Sequence, residues 1–246
     1  MGGRVSVALA GAAVAVAVAI LWGPAPASAP AQAPETRVIG HSVEGREIVA
    51  ERIGDPAAPR VALAVGVVHG DEQAGLKVTT ALRRRAEALS GVQIWAIDSL
   101  NPDGEAADGR RNAHRVDLNR NFPHRWHGGV PISSGYYPGP EPASEPETRA
   151  AIAFIEEIRP DVSVWYHQPW DAVLACRGRP KLAARYARLT KLRTSCRGRR
   201  LRGTAIGWQN AATGGTAFVV EFPAGSISQR TARRHARAFA TIAGDE

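Results

Sequence analysis

Residues 61–68, Val-Ala-Leu-Ala-Val-Gly-Val-Val, are the segment that most narrows what this chain can become. A strand with one wet face alternates apolar and polar side chains, and this run does not alternate. Both of its faces must be covered, as in a central strand between two layers of helices. Val92-Gln-Ile-Trp-Ala-Ile97, Asp161 to Tyr166 and Ala217 to Phe222 read as further strands. Helical patterns fill the stretches between: Glu72 to Leu89, Glu145 to Arg159 with Pro160 as the stop, Pro180 to Leu192, and Ser228 to Ala243. Arg37 to Ser42 and Glu47 to Ile53 flank Val43-Glu44-Gly45-Arg46, a hairpin with glycine in its turn. This alternation predicts an α/β fold, a three-layer α/β/α sandwich around a mixed central sheet. Ligands of such sheets gather at strand ends.

Composition removes several other classes. With 44% hydrophobic and 22% charged residues, the 246-residue chain is too apolar for disorder and too aperiodic for a fibre. A single long apolar run is too little for a polytopic membrane protein. Two cysteines cannot build a disulfide-scaffolded miniprotein or a zinc-finger array. The 3 Lys against 28 Arg read as genome composition.

The long apolar run lies at the N-terminus. Met1 to Arg4 carries one positive charge, Val5 to Trp22 is rich in Ala and Val, and small residues with prolines follow. This is the layout of a secretory signal. Ala25-Pro26-Ala27 before Ser28 is the favoured cut; residues 1–29, or 1–33 at the longest, are assigned to the signal and residues 30–36 to a short linker. An uncleaved anchor is the alternative, because 18 residues approach spanning length. The remainder is expected to be secreted or to work in the cell envelope, without membrane attachment once the signal is removed.

Without the first 33 residues the chain keeps 30 basic against 23 acidic residues, a net +7. The excess is concentrated. No carboxylate lies between Asp171 and Glu221, while Arg177 to Arg202 holds eleven Lys or Arg. Such a patch suits an anionic cell-wall polymer. A solvated helix face is the plainer alternative, and no aromatic interleaving accompanies it to favour nucleic acid.

Chemistry-bearing residues follow the strands. The first buried strand runs into His69-Gly70-Asp71-Glu72, the next into Asn101-Pro102-Asp103-Gly104, the third into Tyr166-His167, and the last carries Glu221. His69 and Glu72, spaced H-x-x-E at a strand-to-helix corner, can converge on one point, and His167 can reach it from an adjacent strand. Two imidazoles and a carboxylate, with a fourth position open, make a catalytic zinc site. A lone histidine at a strand end is more often a polar residue leaving the core. Residues 101–144 are dense in Gly, Pro, Asn and Asp and too long for a mere connection. They carry Arg110-Arg111-Asn112 and Asp117-Leu-Asn-Arg-Asn-Phe122, where arginines can grip a carboxylate or face a developing oxyanion.

His69-x-x-Glu72, Asn101-Pro-Asp-Gly104, Asp117-Leu-Asn-Arg-Asn-Phe122, His167 and Glu221 stand in the order found in the zinc metallocarboxypeptidases. The chain resembles the carboxypeptidase A-like group, and within it the bacterial murein peptide amidases and γ-D-glutamyl-diaminopimelate peptidases. The likeness runs from about residue 40 to the end, which makes 37–246 the expected catalytic domain. It implies a zinc metallopeptidase with one Zn2+ held by His69, Glu72 and His167. Asp117 resembles the carboxylate that orients the first histidine, and Asn119 with Arg120 the pair that binds a peptide's free C-terminal carboxylate. Arg110 matches the arginine that polarises the scissile carbonyl, with Arg111 as the neighbouring alternative. Glu221 resembles the general base. The implied substrate is a peptide with a free C-terminal carboxylate, drawn from the cell wall.

Three departures separate the chain from the pancreatic-type enzymes. The only tyrosine between His167 and Glu221 is Tyr186, so the mobile-loop tyrosine is absent or reassigned. Gln168-Pro169 follows His167 where Ser or Thr is commoner, and the mature chain is short. All three favour the wall-peptide branch. The other readings are an N-acyl-amino-acid amidohydrolase of the aspartoacylase or succinylglutamate desuccinylase type and a non-catalytic wall-polymer-binding module. Intact ligands and Glu221 speak against the latter. Cys176 and Cys196 are expected to form a disulfide in an exported chain. Trp165, Trp170, His41 and His235 read as packing or surface residues; His114, His124 and His127 lie where they could touch substrate.

Overall fold

A computed structural model describes residues 1–3, 35–85, 89, 91–175, 180–198 and 201–244. The expected signal and Cys176 therefore fall outside the described residues. Contacts separate Met1–Ala31 from a unit spanning Gln32–Glu246, and every described strand and helix belongs to the second.

Eight strands build one sheet: β1 Glu35–His41, β2 Glu47–Gly54, β3 Val61–Val67, β4 Gln93–Ser99, β5 Val162–His167, β6 Trp170–Leu174, β7 Arg193–Ser195 and β8 Thr216–Pro223. Their spatial order is β1-β2-β4-β3-β5-β8-β6-β7. The four central strands β4, β3, β5 and β8 are mutually parallel, and antiparallel pairings attach β2 on one side and β6 on the other. The helices are α1 Ala74–Arg83, α2 Pro102–Ala106, α3 Pro146–Ile158, α4 Lys181–Thr190, α5 Ala205–Ala212 and α6 Gln229–Ala243.

The expected burial of β3 is observed, with Ala62 to Val67 inaccessible to solvent. Its side chains feed two cores. Ala62 and Ala64 pack with α1, α4 and α6 through Val78, Leu82, Tyr186, Phe239 and Ile242. Leu63 and Val65 pack with α3 and α5 through Phe154, Ile155 and Trp208. Each fully buried Val or Leu contributes about 1.5–3 kcal/mol, so this strand alone anchors both layers. The result is the three-layer sandwich.

Leaving β3, the chain crosses through α1 to β4 on one side. It returns from β4 through α3 to β5 on the other side of β3. Right-handed crossovers in opposite directions put α1 and α3 on opposite faces and open a crevice between the ends of β3 and β5. His69 lies just beyond β3, and His167 is the last residue of β5.

Some boundaries differ from the sequence expectation. α1 starts at Ala74 because Glu72 belongs to a turn whose N–H bonds to the His69 carbonyl at 3.0 Å. The helix ends at Arg83, before the expected Leu89. β6, β7 and α5 were not foreseen. β6 and β7 are five and three residues long, and α5 (Ala-Ile-Gly-Trp-Gln-Asn-Ala-Ala) has no clear apolar stripe. The long segment from residue 101 is ordered chain containing α2 and a 3-10 turn at Leu118–Arg120.

α1 approaches β3 so closely that a Cβ at Gly75 would stand 2.0 Å from the Gly66 carbonyl oxygen. Because the clash is with backbone, Gly75→Ala should lower the denaturant midpoint by the equivalent of about 1–3 kcal/mol. An unchanged midpoint would show that α1 can withdraw from the sheet.

Candidate metal centre

The His69 corner is shaped by a second turn. Asn101 caps α2 by accepting the Gly104 N–H at 3.0 Å, and its amide nitrogen donates to the Val68 carbonyl at 3.1 Å. Gly70 packs directly on this turn, where a Cβ would lie 1.9 Å from the Gly104 carbonyl carbon. Asn101-Pro-Asp-Gly104 thus fixes the backbone that carries His69; Asp103 points away, to Ser42, the Glu44 N–H and Arg46.

His69, Glu72 and His167 are buried, and one donor atom from each lies within 4.8 Å of the others. The two Nδ1 atoms are 3.2 Å apart; Glu72 Oε1 is 2.9 Å from His69 Nδ1, and Glu72 Oε2 is 2.8 Å from His167 Nδ1. On the far side of the ring, His69 Nε2 meets the Asp117 carboxylate at 3.0 Å. A carboxylate only accepts, so Nε2 carries a proton, and Nδ1 is left as the ring nitrogen that can serve a metal. Two ring nitrogens and a carboxylate therefore meet from three directions on one small volume. The donor set fits zinc, two His nitrogens plus a Glu oxygen with a side left open.

Electrostatics favour a charged Glu72. Burial alone would raise its carboxyl, but hydrogen bonds from His167 and His69 outweigh this and hold it well below the usual range. Asp117 is held low in the same way, burial being overcome by His69 and then Arg110. Burial pushes the His167 imidazole down, toward the neutral form a metal requires.

Glu221 sits in β8 directly across from His167 in β5. Its Oε2 is buried with no hydrogen-bond partner among the described residues. Burial, then repulsion from Glu72, pushes its carboxyl from 4.5 up to about 7. Such a group is poised to hold or release a proton near neutrality.

Gln168, noted in the sequence only as a departure, fastens three pieces of this corner. Its Oε1 accepts the Ala74 N–H at 3.0 Å at the start of α1. Its Nε2 donates to the carbonyls of Pro223 (2.7 Å) and Gly225 (2.8 Å) at the end of β8 and just past it. Its own backbone N–H donates to Glu72 Oε2 at 3.1 Å.

The arginine alternatives separate clearly. Arg110 donates through Nε and Nη2 to Asp117 Oδ2 at 3.2 and 2.8 Å, and its Nη1 lies 3.2 Å from Glu72 Oε1. Arg111 turns away to the carbonyls of Ile132 and Ser134. Asn119 is already engaged within the protein: its Oδ1 accepts the Ala205 N–H at 3.0 Å and its Nδ2 lies 3.3 Å from His167 Nε2. Arg120 is the unusual cation. Its Nη1 donates to the Asn119 carbonyl at 2.6 Å, and no carboxylate pairs with it among the described residues. Burial, then the neighbouring Arg110 charge, pulls the guanidinium's affinity for its proton down.

One cavity of about 380 Å³ joins His69, Glu72, His167, Glu221, Arg110 and Arg120. Leu174, Ile206 and Val219 give it an apolar wall. His124 lines it, whereas His114 bonds to Glu145 at 2.8 Å instead. Trp170, expected to be a packing or surface residue, also lines it, with Arg197 stacked 5.2 Å above the ring. Tyr186 is remote, buried against Tyr166 and bonded to His235. No described cysteine is free, and the expected pairing of Cys196 with Cys176 falls on a residue outside the described set.

Fold and donor set together define a class: an α/β/α sandwich with a zinc site at its switch point. The family model for zinc carboxypeptidases matches residues 27–175, and the chain belongs to that family. Murein peptide amidase A of Escherichia coli (strain K12) is 33% identical over 156 residues, 58% of this chain and 61% of that protein. Carboxypeptidase SOL1 of Arabidopsis thaliana is 30% identical over 155 residues, 54% of this chain and 30% of that protein. The chain thus spans less than two thirds of these relatives' length. Among solved structures, murein-tripeptide amidase MpaA from Escherichia coli O157 superposes with a TM-score of 0.70 at 26% identity, covering 86% of this chain and 92% of that one. Carboxypeptidase A from Helicoverpa armigera, at 19% identity and a TM-score of 0.72, covers 85% of this chain and 67% of that one and shares the fold.

The raised Glu221 carboxyl has a thermodynamic consequence in the metal-stripped protein. A folded-state value of about 7 against 4.5 means that the native state binds the proton more tightly, so stability falls as pH rises between those values. Glu221→Gln removes this penalty. Its melting temperature relative to wild type, both without metal, should therefore rise from pH 5 to pH 8. A difference independent of pH would rule out a buried, proton-holding carboxyl.

Proposed function

We propose that the protein is an exported zinc carboxypeptidase or peptide amidase that cleaves the amide bond before a C-terminal residue of cell-wall peptides. The observation that carries the reading is the partnerless Glu221 oxygen in a residue lining the same cavity as the His69–Glu72–His167 cluster and the carboxylate-free Arg120. The murein branch is supported by the likeness to the Escherichia coli amidases.

His69, Glu72 and His167 would hold zinc, with Asp117 fixing the tautomer of His69. Zinc bound there supplies Lewis acidity and a water that ionises near neutral pH. Glu221 takes the proton of the attacking water and passes it to the leaving nitrogen as the C–N bond breaks, so the acid and amine products balance. Arg110, anchored by Asp117, faces the oxygen on which negative charge develops. Arg120 grips the terminal carboxylate one residue beyond the bond, with Asn119 shaping the turn beneath it.

Export, the signal at residues 1–29, the catalytic domain at 37–246 and the Cys176–Cys196 disulfide belong to the same proposal. Among the described residues no helix is long and apolar enough to cross a membrane. An anionic wall polymer is proposed to meet the acid-free α4 region, where Lys181, Arg185 and Arg188 are exposed. Non-reducing peptide mapping of exported protein should recover the linked cysteines, a closure worth about 3 kcal/mol; two free thiols would remove the disulfide.

Zinc-loaded protein should hydrolyse murein tripeptide or a C-terminal dipeptide panel, read by mass spectrometry. Glu221→Gln should cut turnover at least ~10²-fold while retaining zinc, whereas His69→Ala and His167→Ala lose both. Loss of zinc from Glu221→Gln would make it a ligand instead of the base. Amidating the substrate's C-terminus should cost wild type roughly 2–5 kcal/mol in kcat/KM and Arg120→Ala much less. Equal wild-type rates on free and amidated substrate would overturn the carboxypeptidase reading.

A further inference from the structure

Tyr136 has no place in the proposed chemistry, yet it lines the same cavity. It belongs to the long segment between the 3-10 turn and α3 and is 58% exposed. Its ring centre lies 5.1 Å from the Arg110 guanidinium carbon and 5.5 Å from that of Arg120. Both distances are within cation–π range. The phenol oxygen makes no hydrogen bond to the described residues.

An exposed loop aromatic can take such a position by chance, but the backbone here is pinned on both sides. Arg111 donates to the carbonyls of Ile132 (2.9 Å) and Ser134 (3.2 Å), and Ser134 Oγ accepts the Tyr136 N–H at 3.1 Å. On the other side the Tyr137 carbonyl accepts the Asp117 N–H at 2.8 Å. Asn121 and Trp126 donate to the Pro138 carbonyl at 2.8 and 3.1 Å. The Asp117 contact ties this loop to the residue whose carboxylate also holds His69 and Arg110.

We infer that Tyr136 is a substrate-binding residue, its ring covering the Arg110–Arg120 pair and its hydroxyl offered to the terminal carboxylate of the bound peptide. The inference rests on the reading of Arg120 as the carboxylate anchor. Two guanidinium groups in one corner repel each other, and only Arg110 has a carboxylate partner among the described residues. The electron-rich ring face attracts both cations and displaces water from one side of them. An incoming carboxylate then meets partly dehydrated donors, where each charge-assisted bond is stronger than in bulk water. The hydroxyl adds a neutral donor beside the charged fork. This group comes from the segment upstream of α3, outside the stretch between His167 and Glu221.

The test uses zinc-loaded protein and a panel of N-acetyl dipeptides with free C-termini together with murein tripeptide. The best substrate is then compared with its C-terminal amide. Tyr136→Phe should raise KM for the free acid roughly 3- to 10-fold, the size of one net hydrogen bond. Tyr136→Ala should raise it at least ~10-fold and shrink the preference for acid over amide, with kcat within about 3-fold of wild type and the melting temperature little changed. A Tyr136→Ala enzyme with wild-type KM and wild-type acid preference overturns the inference. So does one in which kcat falls only in proportion to folded protein. Wild type that does not prefer the free acid, or cleaves nothing in the panel, overturns the carboxylate reading itself, an outcome visible without any variant.

Discussion

The site hangs on one buried carboxylate. Asp117 accepts four hydrogen bonds: from His69 Nε2 and the Asn119 N–H on one oxygen, and from Nε and Nη2 of Arg110 on the other. That uses about all the lone-pair directions a carboxylate has. The ring of His69, the guanidinium of Arg110 and the turn leading into Arg120 are thereby held by one rigid, fully buried group. Were it lost, the burial cost of Arg110 and the tautomer of His69 would both be left unanswered. The charges then fall into a consistent pattern, with Glu72 and Asp117 ionised among cations while Glu221, lacking any donor on Oε2, stays reluctant to ionise.

The elements that the sequence revealed most clearly are those whose burial dictates composition. β3 could not be mistaken, because a strand inaccessible on both faces has no room for a polar residue. The ends of β3 and β5 were readable for a different reason: two such runs each lead into a histidine, with a glutamate three residues beyond the first. Arg110 and Arg111 could not be separated from order alone, since the choice depends on which side chain meets Asp117 and which meets the loop carbonyls. Gln168 and Tyr136 were invisible as participants. Each acts through partners more than fifty residues away or through a loop whose path is set by buried amides such as Asn121, which carry no periodic signal. The short strands β6 and β7 and the Ala-rich α5 owe their form to neighbours more than to their own propensities.

Asn119 is tied into the protein beside the arginine proposed to grip the substrate. Its side chain bridges the start of α5 and the ring of His167, so it supports the pocket floor, while Arg120 is left as the donor with spare capacity. Asn101 and Gly104 likewise serve the His69 turn, one through its side-chain amide and the other through its closely packed backbone.

The facing positions of His167 and Glu221 on neighbouring parallel strands carry a consequence for how this site can vary. Strand pairing is discrete. A shift by one residue would move either group by ~3.3 Å and turn it to the opposite face of the sheet. The separation between the imidazole and the carboxylate is therefore a property with steps instead of a slope, which no gentle deformation of the sheet can tune. Variation around the crevice is thus left to its loops, while the spacing of His167 and Glu221 is kept whole or lost.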